Sequence, residues 1–289
     1  NRNQYLEVDV VAEAGTPAPT PAPTPEPSSF FPCFSSETLV ETQHRGPLRM
    51  DQLKIGDTVL VDERGRYETI YSFGHFDKDS TITAAFLQIS TSKASGLEIT
   101  PNHFLFMNGN KAVPASTITV GDEVMMASGE TDTVISITQI TRRGIFAPFT
   151  PSGTIVTNGI KSSSFATVQE DSRYVSLNGI TTPITYHQLG LVYESPHRLF
   201  CHFWLHHCAT YETYNEEAMS QWVAMPSKGF QWLLDQNIVV SGVLFFGLVG
   251  FWCTINIVEM MILNPLFAVP FVLLAFGVSQ LRRVKKKVA

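Results

Sequence analysis

Two stretches of this chain read alike. Leu53-Lys54-Ile55-Gly56-Asp57-Thr58-Val59 lines up with Ile118-Thr119-Val120-Gly121-Asp122-Glu123-Val124, 65 residues further along. At the same offset Leu48 meets Val113 and Thr38-Leu39-Val40 meets His103-Phe104-Leu105, while Glu68-Thr69-Ile70 meets Asp132-Thr133-Val134 one residue out of step. Shared turn residues and shared apolar positions dictate shared backbone paths. The chain must therefore build one supersecondary unit twice, with the copies related by a pseudo-two-fold axis. The units are β. From Thr38 to about Ala166, short β-branched and aromatic runs (TLVET, DTVLVDE, YETIYSF, AAFLQIS, GLEIT, HFLFM, DTVISITQI, GTIVTNG) are punctuated by Gly, Asp, Asn and Pro, the pattern of an all-β domain.

Different compositions flank this domain. Gly15 to Pro27 reads GTPAPTPAPTPEP, which favours extended polyproline II and cannot bury a core, so residues 1–32 are expected to be a linker from an upstream domain. The same composition suits an O-glycosylated stalk or an unmodified spacer. The chain opens on Asn1 without a signal-peptide pattern, and is expected to be the later part of a longer precursor. Over residues 168–237 the alternation fades, and Ser195-Pro196 ahead of HRLFCHFWLHHC reads as a helix start, so this extension should be mainly helical and lipid-facing. Ile238 to Ser279 is 42 residues with Glu259 as its one ionisable side chain and an Asn264-Pro265 break.

That run exceeds the roughly 20 residues of one membrane span, predicting a transmembrane region over 238–280 with one or two spans: a long helix and a shorter segment. The basic tail, 281–289, contains RRVKKKVA and fits the cytosolic side of a membrane. One span would then put the β domain in the lumen of the secretory pathway or outside the cell, and Lys286-Lys287 has the form of an endoplasmic-reticulum retrieval signal as well as of a plain stop-transfer cluster. With 20 Lys plus Arg against 26 Asp plus Glu, no basic surface points to nucleic acid.

Cys33 stands where the linker meets the first strand, which puts its thiol beside its own preceding peptide bond, Pro32–Cys33. Attack of that sulfur on the Pro32 carbonyl turns an amide into a thioester, and intramolecular placement supplies an effective molarity of order 10⁵ M or more. The leaving nitrogen needs a proton, so a histidine must act as general acid. The candidate is His103 in Thr100-Pro101-Asn102-His103, with Thr100 placed to hydrogen-bond the same peptide. CFSSETLVET at Cys33, TPNH at Thr100, YSFGHFD ending at Asp77 and GIFAPFTPSGTIVTNG from Gly144 to Gly159 together resemble the Hog autoprocessing domain of hedgehog proteins, part of the Hint superfamily shared with inteins.

The resemblance covers residues 33–167 and implies a Hint fold with duplicated β units. It implies Cys33 as nucleophile, Thr100 and His103 as the pair assisting the N-to-S acyl shift, and Asp77 as activator of a second nucleophile, in hedgehog proteins the hydroxyl of cholesterol. The expected activity is single-turnover self-cleavage, with the upstream domain as substrate, a sterol or other lipid hydroxyl or water as acceptor, and no metal or cofactor.

Some positions depart from that pattern. Pro32 replaces the usual Gly and presents a more hindered carbonyl; Ser164 stands where many relatives have a cysteine. Asn158 is followed by Gly159 rather than Cys, Ser or Thr, which argues against protein splicing and for cleavage without ligation. The alternative reading is a catalytically silent membrane anchor or interaction module that keeps the scaffold. His75, two residues before Asp77, either assists it or is a structural turn histidine. Cys201, His202, His206, His207 and Cys208 suggest zinc because His202 and His206 share a helical face, but their spacing matches no standard finger and an interfacial helix accounts for them. Glu259 is either functional or interfacial, near the Asn264-Pro265 turn.

Overall fold

The structure, a computed structural model, describes residues 33–94, 96–169 and 171–264. Pro32, the linker, the second apolar segment and the basic tail lie outside the described residues. The first part of the β domain contributes β1 (Leu39–Thr42), β2 (Gly46–Arg49), β3 (Thr58–Leu60), β4 (Tyr67–Thr69), β5 (Ser72–Phe76), β6 (Thr83–Thr91) and β7 (Leu97–Ile99). The second contributes β8 (His103–Met107), β9 (Lys111–Pro114), β10 (Glu123–Met125), β11 (Thr131–Arg143), β12 (Phe146–Phe149), β13 (Thr154–Thr157) and β14 (Ile160–Ala166).

Among the described residues one antiparallel sheet runs β4-β3-β1-β13-β14-β8-β10-β11-β6-β7, with β2 added to β1 and β9 added to β8; β5 and β12 pair separately. The repeated sequence is a repeated structure. β2 and β9, and β3 and β10, occupy residues 65 apart, as do the turns at Gly56 and Gly121, with φ of +96° and +99°. Hydrogen bonds repeat as well. Gly56 N–H donates to Ile70 O (2.9 Å) and Ile70 N–H to Asp57 O (2.8 Å); Gly121 N–H donates to Val134 O (2.9 Å) and Val134 N–H to Asp122 O (2.8 Å). Both aspartates also accept a backbone N–H three residues upstream, from Lys54 and Thr119. Val59 and Val124, one from each copy, are fully buried in a shared core with Phe34, Ile99, Leu105 and Phe146.

The extension, expected to be mainly helical, opens on a β-hairpin ahead of its helices: β15 (Tyr174–Leu177) and β16 (Ile180–Thr185). Asn178 and Gly179 form its two-residue turn with φ of 48° and 80°, the left-handed pair that a type I′ turn requires. Then follow α1 (Tyr186–Tyr193), α2 (Ser195–Phe203), α3 (Leu205–Tyr211), α4 (Gln221–Leu234) and α5 (Ile238–Leu263). Side chains cap three of them: Thr185 accepts from Gln188 N, Ser220 from Trp222 N and Asn237 from Val240 N.

HRLFCHFWLHHC, read as one helix, breaks at Trp204 (φ −127°, ψ 48°). The break folds α3 back on α2 and brings Cys201 and Cys208 to a Cα separation of 5.8 Å, joined as a disulfide. That bond occupies the thiols a zinc reading needs, and His202, His206 and His207 are exposed.

Candidate functional site

Backbone pairing fixes Cys33. Phe34 exchanges hydrogen bonds with Phe146 (N–H to O 2.8 Å, return 3.0 Å), and Ser35 N–H reaches Glu98 O at 3.4 Å. Residues 33–35 are thus clamped between β7 and β12. Cys33 N–H, the nitrogen of the Pro32–Cys33 bond, donates to Thr100 Oγ1 at 2.9 Å, and Thr100 N–H donates back to Cys33 O at 3.0 Å. His103 N–H donates to Thr100 O at 3.1 Å, closing the turn that carries both side chains.

The His103 ring lies against Phe34, with centroids 4.3 Å apart, and is fully buried. Its Nε2 sits 2.7 Å from Ser163 O. A carbonyl only accepts, so Nε2 carries the proton and, in the neutral ring, Nδ1 holds the lone pair. Nδ1 is buried without a hydrogen-bond partner among the described residues. Burial pulls the His103 pKa down to about 4, against a smaller opposing pull from the Ser163 carbonyl. The ring is therefore a neutral acceptor at physiological pH.

The Cys33 thiol is 0% exposed. Burial first, and the nearby Asp77 carboxylate second, push its pKa well above the ordinary thiol value. Asp77 follows β5 and is held by its own loop: its Oδ2 accepts Ile82 N–H at 2.8 Å and its Oδ1 accepts Thr81 Oγ1–H at 3.3 Å. His75 lies in β5 rather than at a turn. It is buried, and burial, with His103 adding, lowers its pKa to about 3. The fold thus brings Cys33, Thr100, His103 and Asp77 to one place from three separate segments.

Sequence reasoning missed two contributors. Ser163, whose carbonyl sets the His103 tautomer, also holds His187 Nδ1 of α1 at 2.8 Å through its hydroxyl. The first helix of the extension thereby touches the residue that orients the histidine. The segment between α3 and α4 covers the thiol: Ala218 packs in one cluster with Cys33, Ala84, Phe86 and Ile145. It is fastened to β5 by Phe76 N–H to Ala218 O (2.8 Å) and Ser220 N–H to Gly74 O (2.9 Å). No local pattern announces either contact, although His187 directly after a capping Thr-Tyr pair was legible as the start of a helix. Ser164 is buried, 2% exposed, with Oγ unpartnered among the described residues.

The Hint module family profile matches residues 22–177. Sonic hedgehog protein of Danio rerio is 32% identical over 152 residues, covering 48% of this chain and 36% of that protein. Protein qua-1 of Caenorhabditis elegans is 29% identical over 167 residues, 49% of this chain and 14% of that one; Protein hedgehog of Drosophila yakuba is 28% identical over 155 residues, 48% and 32%. The chain thus spans well under half the length of these relatives. Among solved structures, the gp41-1 intein superposes with a TM-score of 0.40 at 13% identity, over 46% of this chain and 98% of its own.

Proposed function

Because the chain belongs to the Hint module family, we propose that it cleaves its own backbone between Pro32 and Cys33 through a thioester. The observation that supports this best is the paired hydrogen bond that holds the Cys33 peptide nitrogen on Thr100 Oγ1 while His103 Nδ1 keeps a buried lone pair. In the first step the thiol proton passes to His103 Nδ1 as sulfur attacks the Pro32 carbonyl carbon. The tetrahedral intermediate collapses by breaking the C–N bond. The imidazolium returns its proton to the departing nitrogen, which Thr100 has held in line, leaving an amine at Cys33 and a thioester on its sulfur. Nothing is consumed; an amide has become an ester of sulfur.

In the second step an acceptor hydroxyl loses its proton to Asp77 and attacks the thioester carbonyl carbon; the C–S bond breaks, and the Cys33 sulfur leaves as a thiolate that takes that proton back as a thiol. A lipid alcohol of the sterol class fits a processing unit seated on a membrane, because concentrating the acceptor beside the site replaces affinity for it. α5, with 11% of its most apolar window buried, is long and apolar enough to supply that seat.

The test joins a reporter domain to residues 1–289 and follows its release on gels, with wild type and Cys33→Ala compared in dithiothreitol and in hydroxylamine. Release that needs Cys33 and speeds up with either nucleophile is the expected result. An intact precursor under every condition would instead mark a silent anchor. The mass of the released C-terminus, with sterol added or withheld, separates a sterol ester from the free acid.

A further inference from the structure

α5 does not stand clear of the rest of the molecule. One stripe of it is fastened to the extension along its length. Near its start Ser241 Oγ–H donates to Asn178 Oδ1 in the β15–β16 turn (3.0 Å). Further along, Trp252 meets Tyr193 with ring centroids 5.4 Å apart, and Asn256 Nδ2–H donates to Ser195 Oγ at 2.8 Å. Near its end Glu259 accepts both arms of the Arg198 guanidinium, at 2.6 and 2.5 Å, with both side chains buried.

The partners 178, 193, 195 and 198 are met in the same order as 241, 252, 256 and 259, so hairpin, α1 and α2 run beside α5 in its own direction. Eighteen residues separate Ser241 from Glu259, about 27 Å of helix, nearly the roughly 30 Å of a bilayer's hydrocarbon. The junction of α1 and α2 is fixed to the β domain, where Tyr71 O–H donates to Glu194 at 3.1 Å.

An upright α5 would carry its companions into the hydrocarbon with it. β15–β16 is a two-stranded sheet with open edges, whose unpaired backbone groups lipid cannot satisfy. The outer face of α5 is the opposite kind of surface: Val243 (69% exposed), Phe251 (58%) and Phe246 (52%) point away from the protein. An apolar recess lined by Phe200, Phe203, Trp204 and Ile255 continues that face onto α2 and the break that follows it. Five cations, Arg282, Arg283, Lys285, Lys286 and Lys287, follow in sequence and suit an anionic headgroup layer.

We infer that α5 lies lengthwise in one leaflet as the lipid-facing keel of the processing unit, with both of its ends on the side of the β domain, and does not cross the bilayer. The inference rests on the membrane reading above and goes beyond it by fixing how the helix meets the lipid. The occupant of the outer face is a bilayer and not a second copy of the chain.

The test uses the full chain with Cys33→Ala and Cys253→Ala, reconstituted on phosphatidylcholine–phosphatidylserine vesicles. Single cysteines are placed at the flanks of α5 (Asp235→Cys or Asn264→Cys) and on its outer face (Val243→Cys). Flotation with the vesicles is read first; a chain that stays at the bottom ends the membrane reading and this inference together. Given flotation, an impermeant maleimide should label both flank cysteines from outside with no gain on adding detergent. Protection of one flank until detergent is added would leave the membrane reading standing and overturn the flat helix. A dye on Val243→Cys should lose its emission to nitroxide-labelled lipid. Retained emission together with cross-linking between chains would assign the face to a second copy and overturn the inference.

Discussion

The two copies of the repeated unit share a backbone and divide the chemistry unequally. At the head of the second copy, Thr100 and His103 sit in a turn closed by His103 N–H to Thr100 O at 3.1 Å; at the head of the first, Ser35 and Thr38 sit 65 residues earlier in the same turn, closed by Thr38 N–H to Ser35 O at 3.3 Å. Ser35 spends its hydroxyl on Glu98 Oε2 (2.5 Å) and Thr38 on Glu98 O (3.0 Å), so both brace the head of the first copy against its own last strand, β7. Thr100 turns instead to the peptide at Cys33, while His103 holds Ser163 O and packs its ring on Phe34. Duplication supplied the geometry twice, and on the proposed chemistry one hydroxyl-to-imidazole difference, Thr38 against His103, separates a brace from a proton carrier.

The comparison breaks most visibly at the imidazole. His103→Ala should slow reporter release by roughly 10²–10⁴, the worth of a general acid, whereas Thr38→Ala should leave the rate constant near wild type; equal losses from the two would refute the division of labour. The hydroxyls come next. Thr100→Val removes the acceptor for the scissile N–H and should slow release while the domain stays folded. Ser35→Ala strips a buried carboxylate of a hydrogen bond and should instead cost about 1–3 kcal/mol in denaturant titration.

Acid should then separate scaffold from site. His103 and His187, both with a pKa near 4, and His75, near 3, all lie below the ordinary 6.5 through burial. Protons therefore bind the unfolded chain first as pH falls. The stability held by the neutral rings is complete above about 6.5 and is lost between there and about 4, with an upper bound of about 3 kcal/mol for a shift of 2.5 units. Hydrogen exchange should show β8 and β14 opening before β1 to β3, and uniform opening would show that the rings are not the weak point. The smallest effect tests the scaffold alone. Gly56→Ala and Gly121→Ala put a Cβ into open space at matching positive φ, so each should cost about 1 kcal/mol of backbone strain, and unequal costs would mean the copies are not equivalent.

Much of this was legible in the chain. The 65-residue offset fixed two equivalent turns at Gly56 and Gly121, because left-handed backbone and an aspartate cap leave a strong local signature. Cys33, Thr100 and His103 could be singled out because their chemistry needs those residue types, and Asp77 through the resemblance that YSFGHFD carries. The β15–β16 hairpin has its own local signal, Asn178-Gly179 between alternating residues, set beside the stronger helical signals of the same extension.

Other features had no local signature. Ala218 over the thiol, Ser163 behind His103 and Arg198 under Glu259 join segments whose meeting depends on the assembled tertiary structure. Glu259 shows the limit clearly: composition makes it an isolated charge in an apolar run, and only the fold supplies a guanidinium 61 residues upstream.

The clamp on Cys33 also has a consequence in time. Phe34 pairs with Phe146, 112 residues later in the chain. A ribosome adding about 5–20 residues per second needs on the order of ten seconds to deliver that partner. On the proposed chemistry the bond at Cys33 stays an ordinary, inert amide throughout that interval, because neither strand of its vice has closed. The upstream domain accordingly remains tethered until its own processor has finished folding, and a chain truncated before Phe146 never releases it: cleavage certifies completion.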